Sequence, residues 1–166
     1  MTPRVTRRAF TAGLGALVVG FSLDARWSQA QATLPGSLNN NRSLDAWIRI
    51  DAEGIANVCT GKVELGQGIV TALAQIAAEE LDLPLDRVRM ISGDTARTPD
   101  EGQTSGSQSI ENSGTALRLA GAEVRSLLVA QAASQFGVAA ATLKVGDGAV
   151  TTADGRRVTY GQLAKE

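Results

Sequence analysis

The chain has 166 residues, of which 43% are hydrophobic, and a formal net charge of −1, enough for one modest globular domain with a real core. The near-neutral charge and an aromatic content of only 4% argue against a nucleic-acid partner, which would draw on a basic face and stacking rings. Histidine is absent and Cys59 is the single cysteine, so imidazole triads, an internal disulfide and Cys-rich zinc or iron–sulfur sites are excluded for this chain acting alone.

In chain order, the first element is an address. Arg4, Arg7 and Arg8 precede an apolar run from Ala9 to Phe21, too short to span a bilayer. Ala30-Gln31-Ala32 follows, a set of small side chains that suits a signal peptidase. Arg7-Arg8 after Thr6, with Phe10 beyond, resembles the bacterial twin-arginine export signal, a route that carries proteins already folded around a cofactor. Residues 1–32 are therefore expected to be a twin-arginine signal peptide and the protein periplasmic; a frayed basic terminus is the plain alternative. Residues 33–44, "TLPGSLNNNRSL", read as a polar linker, which puts the folded part at 45–166.

"AWIRIDAEGIANVCTG" alternates around a turn at Asp51–Gly54 and predicts a β-hairpin, with Ile48 and Ile50 on one face and Trp47 and Arg49 on the other. From Ile69 the period lengthens. Ile69, Leu73 and Ile76 share a side widened by Ala72, Ala77 and Leu81, so a helix is expected, ending before Pro84. "DRVRMIS" reads as a strand with Val88 and Met90 on one face. Asp94–Asn112 reads as one long loop, of a length usually reserved for function or disorder. The longest helix is expected from Ser113, as N-cap, to Phe136, with Gly137 as its stop and a stripe of Leu117, Ala120, Val124, Leu127 and Ala130. Asp147-Gly148 and Asp154-Gly155 then mark two turns between short strands, and "YGQLAKE" opens another helix. Its uncapped ending reads as a piece of a longer chain. The fold class expected is α+β: β-hairpins and short strands packed with two main helices.

Two loops carry the chemistry. Gly66-Gln67-Gly68 stands where a helix begins, a position rich in unpaired N–H groups and in positive dipole. The glycines allow close approach, the Gln67 amide offers both a donor and an acceptor, and Thr71 adds a hydroxyl. Taken alone, the motif is better read as a Gly-rich turn feeding an ordinary helix, since short glycine motifs are common. "GQTSGSQS" (Gly102–Ser109) is the second such loop, with the hydroxyls of Thr104, Ser105, Ser107 and Ser109 around Gly106; alone it also reads as a solvated surface loop. Together the two loops suit one elongated anionic ligand, dinucleotide-like or a pterin phosphate. A Rossmann site fits less well, because Thr71 replaces the third glycine and the preceding strand begins as a hairpin.

With both loops in view, Gly61–Arg125 resembles the molybdopterin-binding large subunit of the xanthine dehydrogenase, or molybdenum hydroxylase, family, and in particular its branch of isoquinoline 1-oxidoreductase β-subunits. The GQG loop, the downstream Asp94-Thr95 pair, the proline and the T-x-G-S loop recur in order. The resemblance implies a molybdopterin cofactor with molybdenum, in the cytosine dinucleotide form. It assigns Gly66, Gln67 and Gly68 to the pterin and its phosphate, and Thr104, Ser105, Gly106, Ser107 and Ser109 to the loop near the metal. It implies hydroxylation of a small N-heterocycle or oxidation of an aldehyde, with a glutamate base from a far C-terminal motif that this chain lacks. Glu64, Glu79 and Glu111 read as solvated charges, and no catalytic residue is assigned. Two [2Fe–2S] clusters would sit on a partner iron–sulfur subunit, with a cytochrome c or another membrane redox protein beyond it. A stand-alone periplasmic module binding an anionic or phosphorylated ligand, without catalysis, is the reading from another class.

Overall fold

The computed structural model describes residues 34–165; the expected signal peptide lies outside them. Among the described residues no helix is long and apolar enough to cross a membrane.

Strand β1 (Ile48–Ile50) pairs antiparallel with β2 (Ala56–Thr60), Ile48 opposite Val58 and Ile50 opposite Ala56. This is the expected hairpin. Its turn is closed by Asp51, whose Oδ1 accepts from the N–H groups of Glu53 (3.2 Å) and Ile55 (2.8 Å). After β2 the chain passes through the GQG loop into helix α1 (Ile69–Glu80) and returns along β3 (Val88–Ser92), parallel to β2. Parallel strands need such a crossover, and a helix is its usual form. Thr60 and Ser92, the last residues of β2 and β3, are partners in the ladder. Both candidate loops therefore leave from the same end of one sheet. That topology is non-local, and no periodicity in the sequence announces it.

Helix α2 (Thr115–Phe136) packs across α1, and a second antiparallel sheet follows: β4 (Lys144–Gly146), β5 (Ala149–Thr151) and β6 (Arg157–Thr159). Asp147 and Gly148 both have positive φ in the β4–β5 turn, as a tight two-residue hairpin requires. A final short helix, α3 (Tyr160–Leu163), is capped reciprocally by Thr159 and Gln162. The α+β class expected from the sequence is the one observed.

One core joins these layers. Ile48, Ile50 and Val58 of the first sheet meet Leu73 and Ala77 of α1, and Leu117, Val124 and Leu128 of α2. Val150, Val158, Tyr160 and Leu163 close the other side. Tyr160 is fully buried, and its hydroxyl donates to the Leu81 carbonyl at 2.9 Å. Burial raises its pKa, so it stays a neutral donor. Cys59 is buried too, and burial likewise pushes its thiol up, which marks it as packing rather than chemistry. Gly121 lets the helices close: a Cβ there would stand 2.9 Å from Glu80 Cβ.

Three expectations need correction. Residues 33–44 read as a linker, but Leu38 and Leu44 enter the core at 2% and 1% exposure. Trp47, fully buried, roofs the same corner and donates from Nε1 to the Asn41 carbonyl at 2.8 Å. The second helical segment does not start at Ser113. A π-helical turn, Ser109–Gly114, runs straight into α2, and Ser113 turns its hydroxyl inward instead of capping. The buried stripe of α2 then continues from Val124 to Leu128 and Ala132, whereas Leu127 is half-buried and Ala130 exposed. Gly137 does end the helix, at φ +68.

Candidate functional site

The GQG loop is built on positive φ: Gly66 at +96 and Gly68 at +77, with nothing within 4 Å of a Cβ at either position. Glycine is needed here for backbone conformation, and the space beside it is open. Glu64 organises the loop. One carboxylate oxygen accepts from the N–H groups of Gly66 and Gly68, each at 2.8 Å, and the other from Val70 at 3.2 Å. Gly68 and Val70 are two of the orphan donors at the start of α1, so a side chain of this protein already takes part of the place where an anion would sit. The bonds from Gly68, then Val70 and Gly66, hold the Glu64 carboxyl below its ordinary range, against a smaller opposing effect of desolvation. Glu64 is therefore more than a solvated charge. The sequence hides this, because the contact depends on the left-handed turns at both glycines.

Gln67 folds back on the same loop. Its Oε1 accepts from Leu65 N at 2.5 Å and its Nε2 donates to the Val63 carbonyl at 3.0 Å. A carboxamide has two N–H donors and two acceptor lone pairs, so one of each is left. The exposed amide is held rigidly and is still able to bind.

The second loop comes up beside the first. Gly102 and Gly106 have φ of +64 and +51, and Ser107, at +65, is one of few non-glycine residues in that region. Gln67 and Gly68 with Leu65, Ile69 and Ala72 form one wall of a groove of about 470 Å³. Thr104, Ser105, Gly106, Ser107, Ser109 and Ile110 form the other. Of the eight residues the resemblance assigns to the cofactor, only Gly66 stands outside the lining. Thr71, exposed on α1, is not part of it. The floor is apolar and one rim carries hydroxyls, an arrangement that fits a flat ring with polar edges.

Beneath the groove lies a buried polar cluster that the sequence does not reveal. Glu101 Oε2 accepts from Thr60 Oγ1 (2.7 Å), Gly61 N (2.7 Å) and Ser113 Oγ (3.1 Å). Its Oε1 is buried without a hydrogen-bond partner among the described residues. Lys62, only 1% exposed, donates from Nζ to the carbonyls of Glu101 (2.7 Å) and Gln103 (2.8 Å). Val63 N donates to Thr104 Oγ1 at 2.9 Å. The strand extension Thr60–Glu64 thus stitches one loop to the other. Among the described residues no cluster of His, Cys, Asp or Glu could hold a metal ion through side chains.

The family model described as "Molybdopterin cofactor-binding domain" matches residues 4–166. The chain belongs to that family. Proteins similar to it include a nicotinate dehydrogenase subunit of Pseudomonas putida, 40% identical over 124 residues, covering 75% of this chain and 10% of the relative. The β-subunit of isoquinoline 1-oxidoreductase from Brevundimonas diminuta is 34% identical over 171 residues, covering 98% and 22%. Among solved structures, the reconstituted CO dehydrogenase from Oligotropha carboxidovorans superposes with a TM-score of 0.63 at 26% identity, over 80% of this chain and 17% of that one. The chain spans between a tenth and about a fifth of the length of these curated relatives. Membership of this molybdopterin-binding family bears out the resemblance read from the two loops, and does not favour a stand-alone binding module.

Proposed function

We propose that this chain forms one part of the cofactor cradle in the large subunit of a molybdenum hydroxylase, an oxidoreductase acting on small N-heterocycles or aldehydes. The observation that carries the reading is the single groove walled by Gln67-Gly68 on one side and Thr104–Ser109 on the other. Open space over Gly68 and Gly106 admits a ring edge close to the backbone. The hydroxyls of Ser105 and Ser107, exposed and unbonded to the described residues, are ready to donate to oxygen atoms of a ligand. The residues present fit a molybdopterin: Gln67 and Gly68 would hold one edge, and Thr104, Ser105, Gly106, Ser107 and Ser109 the other. Molybdenum in such a cofactor supplies the two-electron step that these side chains cannot.

The chain's own residues orient and exclude. Gln67 presents one N–H and one lone pair from a pinned amide, and Leu65 and Ile69 on its own wall and Ile110 on the other give the groove apolar surface that disfavours water. Glu64 places a negative charge on two of the N–H groups that open α1, Gly68 and Val70, which directs an anionic group of the ligand to the hydroxyl wall. Gly66 then serves the shape of the loop. The cytosine dinucleotide form, a partner subunit with [2Fe–2S] clusters, a cytochrome c or other membrane electron acceptor, and twin-arginine export to the periplasm complete the proposal. Relatives that are themselves named as subunits support assembly with other chains.

Metal and pterin analysis of the full-length protein tests the reading. Molybdenum and a pterin are expected in equal amounts, and Gln67→Ala should lower both. Absence of molybdenum from the purified assembly would overturn the proposal, and full retention by Gln67→Ala would remove that residue from the site.

A further inference from the structure

We infer that Lys62 is the positioning residue that sets the hydroxyl wall of the groove against the glutamine wall, an inference that rests on the cofactor reading above. Residues 101–103 have no strand neighbour, so carbonyls turned inward there need donors from elsewhere. Lys62 supplies them: its ammonium reaches Glu101 O at 2.7 Å and Gln103 O at 2.8 Å from a side chain 1% exposed. An ammonium has three donors on one atom and can therefore gather carbonyls that converge from different residues. A buried cation is costly, and an apolar side chain of the same length would fill this space without that cost. What the lysine adds is the location of the loop.

The other wall hangs from the same short segment. The carbonyl of Val63, next to Lys62, holds the Gln67 amide, and Glu64 holds Gly66, Gly68 and Val70. Ser92 Oγ donates to the Lys62 carbonyl at 2.6 Å, which fixes the segment to the end of β3. Lys62 thus points inward to one loop while its neighbours carry the other. Losing its ammonium frees the carbonyls of Glu101 and Gln103 and leaves the bond from Val63 N to Thr104 Oγ1 to hold that wall to the segment alone.

The test uses the full-length subunit, produced with the proteins it assembles with, as wild type, Lys62→Met and Lys62→Arg. Amide exchange is followed for residues 101–109 and, as internal reference, for 117–133 of α2; molybdenum is measured per subunit. Lys62→Met should speed exchange at 101–109 by about tenfold or more, the scale of lost charge-assisted bonds, and leave the reference unchanged. Its molybdenum content should fall in parallel. Lys62→Arg keeps a charged donor and should restore both. Unchanged exchange in Lys62→Met overturns the inference, as does a loosened loop with full molybdenum, or an arginine variant as loose as the methionine one. If Lys62→Met does not accumulate folded, Lys62→Gln takes its place; unfolding of both makes Lys62 a general core residue and also overturns it. Wild-type protein without molybdenum defeats the cofactor reading instead, a result separate from these.

Discussion

At Gly61 the stitched segment passes tightly against Pro99 and Glu101, just ahead of the second loop, and Gly61→Ala gives a sharp test of that packing. A Cβ at this position would stand 2.5 Å from the Pro99 carbonyl oxygen, 3.2 Å from Glu101 N and 3.3 Å from Glu101 Cβ. Ordinary contact starts at 3.4 Å, so the oxygen and the methyl must part by about 0.9 Å (3.4 less 2.5). Two of the three obstacles are backbone, and Pro99 is itself buried, so no flexible side chain can absorb the shift. Gly61 lies outside the left-handed region, so the cost is steric alone and falls in the overpacking range of about 1–3 kcal/mol. Urea unfolding of the variant measures it. Gly146→Ala serves as control: nothing lies within 4 Å of its Cβ, and it should leave stability unchanged or slightly raised. A Gly61→Ala variant within about 0.5 kcal/mol of wild type would refute the argument that 60–64 and 99–104 are locked together.

Two further outcomes are expected. Glu64 has a folded pKa below its ordinary 4.5, so its bonds to Gly66, Gly68 and Val70 stabilise the loop above that value and are lost as pH falls through the lower folded one. The amide shifts of Gly66 and Gly68, followed by NMR from about pH 5 downward, should report this titration and lose it in Glu64→Gln; shifts flat with pH in the wild type refute it. Tyr160→Phe removes the hydroxyl that serves the Leu81 carbonyl and should cost about 1–3 kcal/mol in urea unfolding, so an unchanged midpoint would show that bond to be dispensable.

Much of the fold is legible in the residues, and the reasons are local. Alternation fixes β1 and β2, a change of period marks α1, and Gly137 ends α2, because each signal sits within a few residues of the structure it produces. Both loops are legible for the same reason: glycines and hydroxyls cluster in the chain itself. What escapes is set by distance. Leu38 and Leu44 sit among asparagines and look like a linker until Asn112 and Trp47 close over that stretch. Nothing local marks Lys62 for burial or Glu101 for its inward bonds, which depend on carbonyls and hydroxyls some forty residues away. The π-helical turn at Ser109–Gly114 needs one wider circuit of backbone, and residue type alone gives no sign of it.

The pairing of Thr60 with Ser92 bears on how such a site can vary. Both walls are rooted on one rung shared by two adjacent strands, so an inserted or deleted residue near either tip shifts the rim while the footing stays still. One end of a sheet can in this way serve guests of different outline, with change confined to the parts that touch them.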